Sequence, residues 1–194
     1  MKKVAYILPG YRESHLKQKG YGKVARFFEE KGIEPIHVNI KWKQNSEELF
    51  KDYTRQFLKV YRKPKGAEVY ILGFSYGATI AFLSAVKTKP TAFILCSLSP
   101  YFKEDLKNLR PAWLKWWKKS FVESDYSFDK LAPKVKSNTY LIVGSKEHKS
   151  CLIRAKDAKK KIKNSHLIIA KNAKHKIGQK EYLETIKKVI SKLK

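Results

Sequence analysis

In the stretch VYILGFSYGATIAFLSA, residues 69–85, Ser75 stands midway between Gly73 and Gly77. Val69, Tyr70, Ile71 and Leu72 read as a strand buried on both faces, and Ala78, Ile80, Ala81, Phe82 and Ala85 as a helix packed closely on a sheet. A turn this sharp leaves no room for Cβ atoms two residues to either side of the serine. It can hold the serine in a strained conformation that projects its hydroxyl above the sheet. A serine hydroxyl is a poor nucleophile at neutral pH. It needs a base to take its proton, a group to orient that base, and hydrogen-bond donors for the oxyanion that forms.

The rest of the chain has to supply those partners. Strand-like runs at 4–8, 35–40, 69–72, 92–98, 139–144 and 165–170 alternate with helical patterns at 21–32, 45–61, 78–85, 150–163 and 179–193. Gly32 is a natural helix stop, and Asn45 with Glu48 reads as a capping box. The alternation predicts an α/β fold, a doubly wound and mainly parallel six-stranded sheet with helices on both faces. One segment, about 101–132, breaks the rhythm. There Leu106, Leu109, Trp113 and Trp116 or Trp117 recur at helical spacing, which predicts a short helical cap inserted in a single domain spanning 1–194.

In such a sheet a site forms at the carboxyl ends of the strands. The first strand ends in LPGYRES, where Pro9-Gly10 turns the backbone and aims the amide of Tyr11 into the crevice. The third ends at Ser75, with the amide of Tyr76 at a helix start, where N–H groups lack partners and the dipole favours an anion. The fifth ends in VGSKEHKSC, which brings Glu147 just past Gly144. The sixth is followed by KNAKHKIG, which carries His175. Rival acids are Asp105 after the fourth strand, and Asp125 or Asp129 near the end of the insertion. Arg12, beside the first turn, reads as a solvated arginine or as a grip on a substrate anion.

These residues resemble the α/β-hydrolase superfamily, over nearly the whole chain outside the insertion. Gly73-Phe74-Ser75-Tyr76-Gly77 matches its nucleophile elbow, LPGY its oxyanion loop, LIVGSKEH its acid-bearing strand end and NAKHKI its histidine loop. The resemblance implies that Ser75 attacks, His175 acts as general base and then acid, Glu147 orients His175, and the amides of Tyr11 and Tyr76 form the oxyanion hole. It also implies the strand order 2-1-3-4-5-6, and a serine esterase or thioesterase working through an acyl-enzyme. Trp113, Trp116 and Trp117 would then wall an apolar acyl pocket. The chain departs from the pattern in lacking a leading antiparallel hairpin and in using Glu as the acid.

Bulk composition limits the alternatives. With 43% hydrophobic residues the 194-residue chain can bury a core despite a net charge of +26. Lysines spread from Lys2 to Lys194 read mainly as solvated helix faces. The alternative is a hydrolase-fold binder that holds nucleic acid, an anionic lipid surface or an acidic carrier protein, or an enzyme whose small-molecule ester or thioester is anionic. No apolar run reaches membrane-span length, and the two cysteines suggest no disulfide framework. A cytoplasmic protein is therefore expected. His15, His37, His148 and His166 have no metal-ligand spacing with one another or with the cysteines, so neither metal nor cofactor is expected.

Overall fold

A computed structural model describes residues 1–42, 50–108, 111–112 and 126–193. Six strands form one sheet: β1 (Lys3–Leu8), β2 (Glu34–His37), β3 (Glu68–Phe74), β4 (Ala92–Cys96), β5 (Asn138–Gly144) and β6 (Ser165–Ala170). Their order is β2-β1-β3-β4-β5-β6 and every pairing is parallel. Since β1 lies between β2 and β3, the chain reverses its direction of travel there and opens a crevice at the carboxyl ends.

Alternate strand residues feed two separate cores. Val4, Tyr6, Leu8, Val69, Ile71, Phe93 and Leu95 face one way. They pack under α2 (Phe50–Val60), α3 (Tyr76–Thr88) and the Ala158–Ile162 end of α5 (Lys149–Lys161). Ala5, Ile7, Tyr70, Leu72, Phe74, Ile94 and Ile142 face the other way, under α1 (Lys19–Glu29) and α6 (Lys180–Ser191). The sheet is thus covered on both faces, which is why its central strands are continuously apolar. Each fully buried Phe, such as Phe28 or Phe57, contributes about 1.5–3 kcal/mol of transfer free energy.

Several expected boundaries shift for local reasons. The second strand stops at His37 instead of residue 40, because β1 ends at Leu8 and Pro9 has no N–H to extend the ladder. The fourth stops at Cys96 instead of residue 98, because Ser97 turns into the left-handed region at φ 53°. The first helix ends at Glu29, and Gly32 at φ 67° completes the turn beyond it. Asn45 and Glu48 lie outside the described residues.

The two described arms of the insertion are a 3₁₀ turn (Lys103–Asn108) and a short helix α4 (Phe128–Leu131), followed by a 3₁₀ turn (Ala132–Lys134). Glu104 ties them together by accepting from the Phe128 amide at 2.9 Å and from the Ser127 hydroxyl. Asp105 is buried against Arg154 of α5, which donates to it from Nε and Nη2 at 2.5–3.0 Å. The guanidinium lies against the rings of Phe102 and Phe128, 5.3 and 4.1 Å from their centroids. Among the described residues no helix is long and apolar enough to cross a membrane.

Candidate active site

Ser75 is the one residue between β3 and α3, at φ 55° and ψ −117°. A non-glycine residue held there costs about 1–3 kcal/mol, so its surroundings must fix it. They do so through the Ser75 amide, which donates to the Cys96 carbonyl at 2.8 Å, and the Ser75 carbonyl, which accepts from Ala78 and Thr79. The flanking glycines are required by contact. A Cβ on Gly73 would overlap the Gly77 carbonyl, and one on Gly77 would overlap the carbonyl oxygens of Leu8 and Pro9. The first turn of α3 is therefore pressed onto the end of β1.

That contact sets Tyr11 beside Tyr76, with ring centroids 4.9 Å apart. Tyr76 is the first residue of α3, so its amide has no carbonyl one turn back to bond. The turn carrying Tyr11 is braced. The Gly10 amide donates to the Tyr21 hydroxyl at 2.8 Å, that hydroxyl donates to the Glu13 carboxylate, and the Glu13 carbonyl accepts from the Trp42 indole at 3.2 Å. Burial and the Glu13 charge push the Tyr21 phenol well above its ordinary value.

His175 arrives from the loop after β6. Its Nε2 lies 3.0 Å from Ser75 Oγ and its Nδ1 2.7 Å from Glu147 Oε2. The Glu147 side chain is fully buried, and its Oε1 accepts from the Gly144 amide at 2.7 Å. Burial pushes this carboxyl up, but hydrogen bonds from His175, Ser97 and the Gly144 amide outweigh that and hold it below its ordinary value. The ionised carboxylate can thus keep a proton on Nδ1 and leave Nε2 to face the serine as an acceptor.

Ser75, Glu147, His175, Tyr11 and Tyr76 are brought to one crevice, whereas Trp113, Trp116, Trp117 and the rival acid Asp125 lie outside the described residues. The other two rival acids are engaged elsewhere, Asp105 with Arg154 and Asp129 with Lys161. Arg12 is exposed, with its guanidinium 5.1 Å from the Tyr11 ring centroid. His148 caps α5, its Nδ1 accepting from the Ser150 amide.

Sequence reasoning missed Ser97. Its hydroxyl donates to Glu147 Oε2 and lies 2.8 Å from His175 Nδ1. It also missed Ser99, whose Oγ is 3.4 Å from that of Ser75, and Cys151, whose sulfur lies within 4.8 Å of donor atoms on Glu147 and His175. Ser97 and Ser99 do follow directly on an apolar run, so a search of every strand end would have raised them.

A cavity of about 730 Å³ opens above Ser75, walled by Tyr11, Phe74, Tyr76, Pro100, Tyr101 and Cys151 among others. None of its described lining residues is Lys or Arg. The cations sit on the rim instead, with Lys146, Lys149, Lys174 and Lys176 exposed beside Glu147, His148 and His175.

The family model described as serine aminopeptidase, S33, matches residues 9–194. Est1E from Butyrivibrio proteoclasticus, solved with ferulic acid bound, superposes with a TM-score of 0.81 at 14% identity, over 97% of this chain and 86% of that one. Mouse alpha/beta hydrolase domain-containing protein 10 gives 0.78 at 13% identity, over 97% and 88%. The esterase EaEST from Exiguobacterium antarcticum gives 0.74 at 15%, over 97% and 91%. At such identities the likeness is one of fold. No curated protein matches the chain.

Proposed function

The chain belongs to the serine aminopeptidase S33 family of the α/β-hydrolase superfamily, and from that premise we propose that it is a serine hydrolase cleaving a carboxylic ester or thioester through an acyl-enzyme. The observation that carries this reading is the single imidazole of His175, 3.0 Å from Ser75 Oγ on one side and 2.7 Å from the Glu147 carboxylate on the other. Ser75 Oγ attacks the carbonyl carbon as its proton passes to His175 Nε2. Glu147 stabilises the imidazolium through Nδ1–H. The Tyr11 and Tyr76 amides receive the oxyanion, donors of a kind worth about 10²–10³ in rate each. Collapse expels the alcohol or thiol, protonated by His175, and water returns along the same path to free the acid.

The aromatic cavity supports an apolar acyl group. The tryptophans Trp113, Trp116 and Trp117, set in a helical cap at about 101–132, are the proposed remainder of its wall. Free, buried Cys96 and Cys151 support a reducing, cytoplasmic setting. The lysine rim favours a second reading, in which the alcohol or thiol part of the substrate is anionic or belongs to an acidic carrier.

The test is intact mass after exposure to a fluorophosphonate. One adduct on Ser75, absent from folded Ser75→Ala and His175→Ala, is expected. A folded wild-type protein that takes no adduct would end this reading.

A further inference from the structure

The network behind His175 contains a group that ester hydrolysis does not use. Cys151 lies in the first turn of α5, four residues after Glu147, and both are buried beside the more exposed His175. One donor atom from each of the three lies within 4.8 Å of the other two. Thiolate, carboxylate and imidazole are the ligand types that bind zinc and its heavier congener cadmium. In a tetrahedral zinc site such donors stand about 3.5 Å apart, given metal–ligand bonds of about 2.0–2.3 Å. Closing this set around an ion takes an approach of the Cys151 sulfur by about 1 Å, together with an opening of the Glu147–His175 contact from 2.7 Å to about 3.5 Å.

We propose that Glu147, Cys151 and His175 form an inhibitory site for zinc or cadmium. The inhibition rests on the hydrolytic reading given above and follows from the imidazole. The nitrogen facing Glu147 is Nδ1. A neutral ring metallated there carries its one proton on Nε2, so it cannot accept a proton from Ser75. The step balances simply. The divalent ion replaces the Cys151 thiol proton, which leaves to solvent, and the thiolate and the Glu147 carboxylate together neutralise the ion. Burial and the nearby Glu147 charge push the Cys151 thiol up to about 12, with the Ser97 and Ser150 hydroxyls opposing. The resting thiol is therefore protonated, and an ion binds only by displacing that proton. The net charge of +26 works against any cation, so the fair test is at about 0.15 M salt, where the Debye length is about 8 Å.

Untagged full-length protein is titrated with Cd²⁺ while the ultraviolet cadmium–thiolate charge-transfer band and the rate of fluorophosphonate labelling are followed together. The expected result is a band that saturates at one equivalent, with labelling slowed at least tenfold along the same curve. In both Cys151→Ala and Cys151→Ser the band is lost, and the Cd²⁺ needed for half-inhibition rises at least tenfold, although Cys96 is still present. The proposal is overturned by the absence of a band in the wild-type protein, by a band that survives both substitutions, or by saturation that leaves labelling unchanged. A protein that gives the band but never labels supports the metal site and overturns the hydrolase reading instead.

Discussion

Ser97 Oγ stands 2.8 Å from His175 Nδ1, the same ring nitrogen that meets Glu147 at 2.7 Å, while also donating to Glu147. Glu147 and His175 are thus held together by a hydroxyl from a third strand end, at a residue whose own backbone is in the left-handed region. Ser97→Ala should lower kcat about tenfold, the rate equivalent of one charge-assisted hydrogen bond, with little change in KM. Ser97→Gly relaxes the backbone but also lacks the hydroxyl. Equal losses in the two variants would assign the effect to the hydroxyl, and recovery in the glycine variant would assign it to backbone strain.

Glu147 gives stability a pH dependence of known sign. Its carboxyl sits below the ordinary value when folded, so the unfolded chain takes up that proton first as pH falls. Its contribution is complete above the ordinary carboxyl value and is lost as pH drops through the lower folded one. Thermal melts from pH 7 to pH 3 should show the wild-type protein losing more stability than Glu147→Gln over that range. Parallel curves would contradict the assignment.

Gly77→Ala forces a methyl group against the carbonyl oxygens of Leu8 and Pro9, neither of which can rotate away. Overpacking of this kind costs about 1–3 kcal/mol. Urea unfolding should register that loss. Fluorophosphonate labelling of the surviving folded protein should slow as well, since the same contact sets Tyr11 beside Tyr76.

The Arg154–Asp105 pair is buried on both sides, at 2% exposure each. Removing only the cation in Arg154→Met strands a carboxylate in the interior and should cost about 3–5 kcal/mol by chemical denaturation. Arg154→Lys should not restore it, because an ammonium cannot fork across both oxygens or lie flat against the Phe128 ring. The double variant Arg154→Met with Asp105→Leu should be less damaged than the single one.

The rim lysines predict a salt effect tied to substrate charge. For an ester with an anionic leaving group, kcat/KM should fall steeply as ionic strength rises, and for a neutral ester it should barely move. Substituting Lys146, Lys149, Lys174 and Lys176 by Gln should flatten the first curve. An identical slope for both esters would leave the rim without a role in steering.

That Ser75, Glu147 and His175 meet could be read from the sequence because each follows a strand, and in a parallel sheet all the carboxyl ends lie along one edge. The strand order came from the family resemblance, and the sheet has it. Ser97 was not legible, since a small polar residue after an apolar run reads as loop, and only the paired β4 and β5 show what it touches. Arg154 was less legible still. It lies in RAKDAKKKIKN, where most neighbours are charged or polar, and its burial depends on Asp105, Phe102 and Phe128 far away in sequence. Local pattern carries periodicity and chain order. It does not carry the partner of a side chain that belongs to another element.

The stapling of the chain at both ends of the segment 102–128 has a consequence for how that segment can be varied. Phe102 and Phe128 meet with ring centroids 5.0 Å apart, and Glu104 bonds across to Ser127 and Phe128. The chain thus passes through nearly one point at Phe102 and again at Phe128, so the sheet does not register how many residues separate them. Doubling such a loop costs only about 0.6 kcal/mol in closure entropy. Ala112, within that segment, lines the cavity above Ser75. Exchanging the residues between the staples should therefore reshape the cavity above Ser75 while leaving in place the strand ends that carry Ser75, Glu147 and His175.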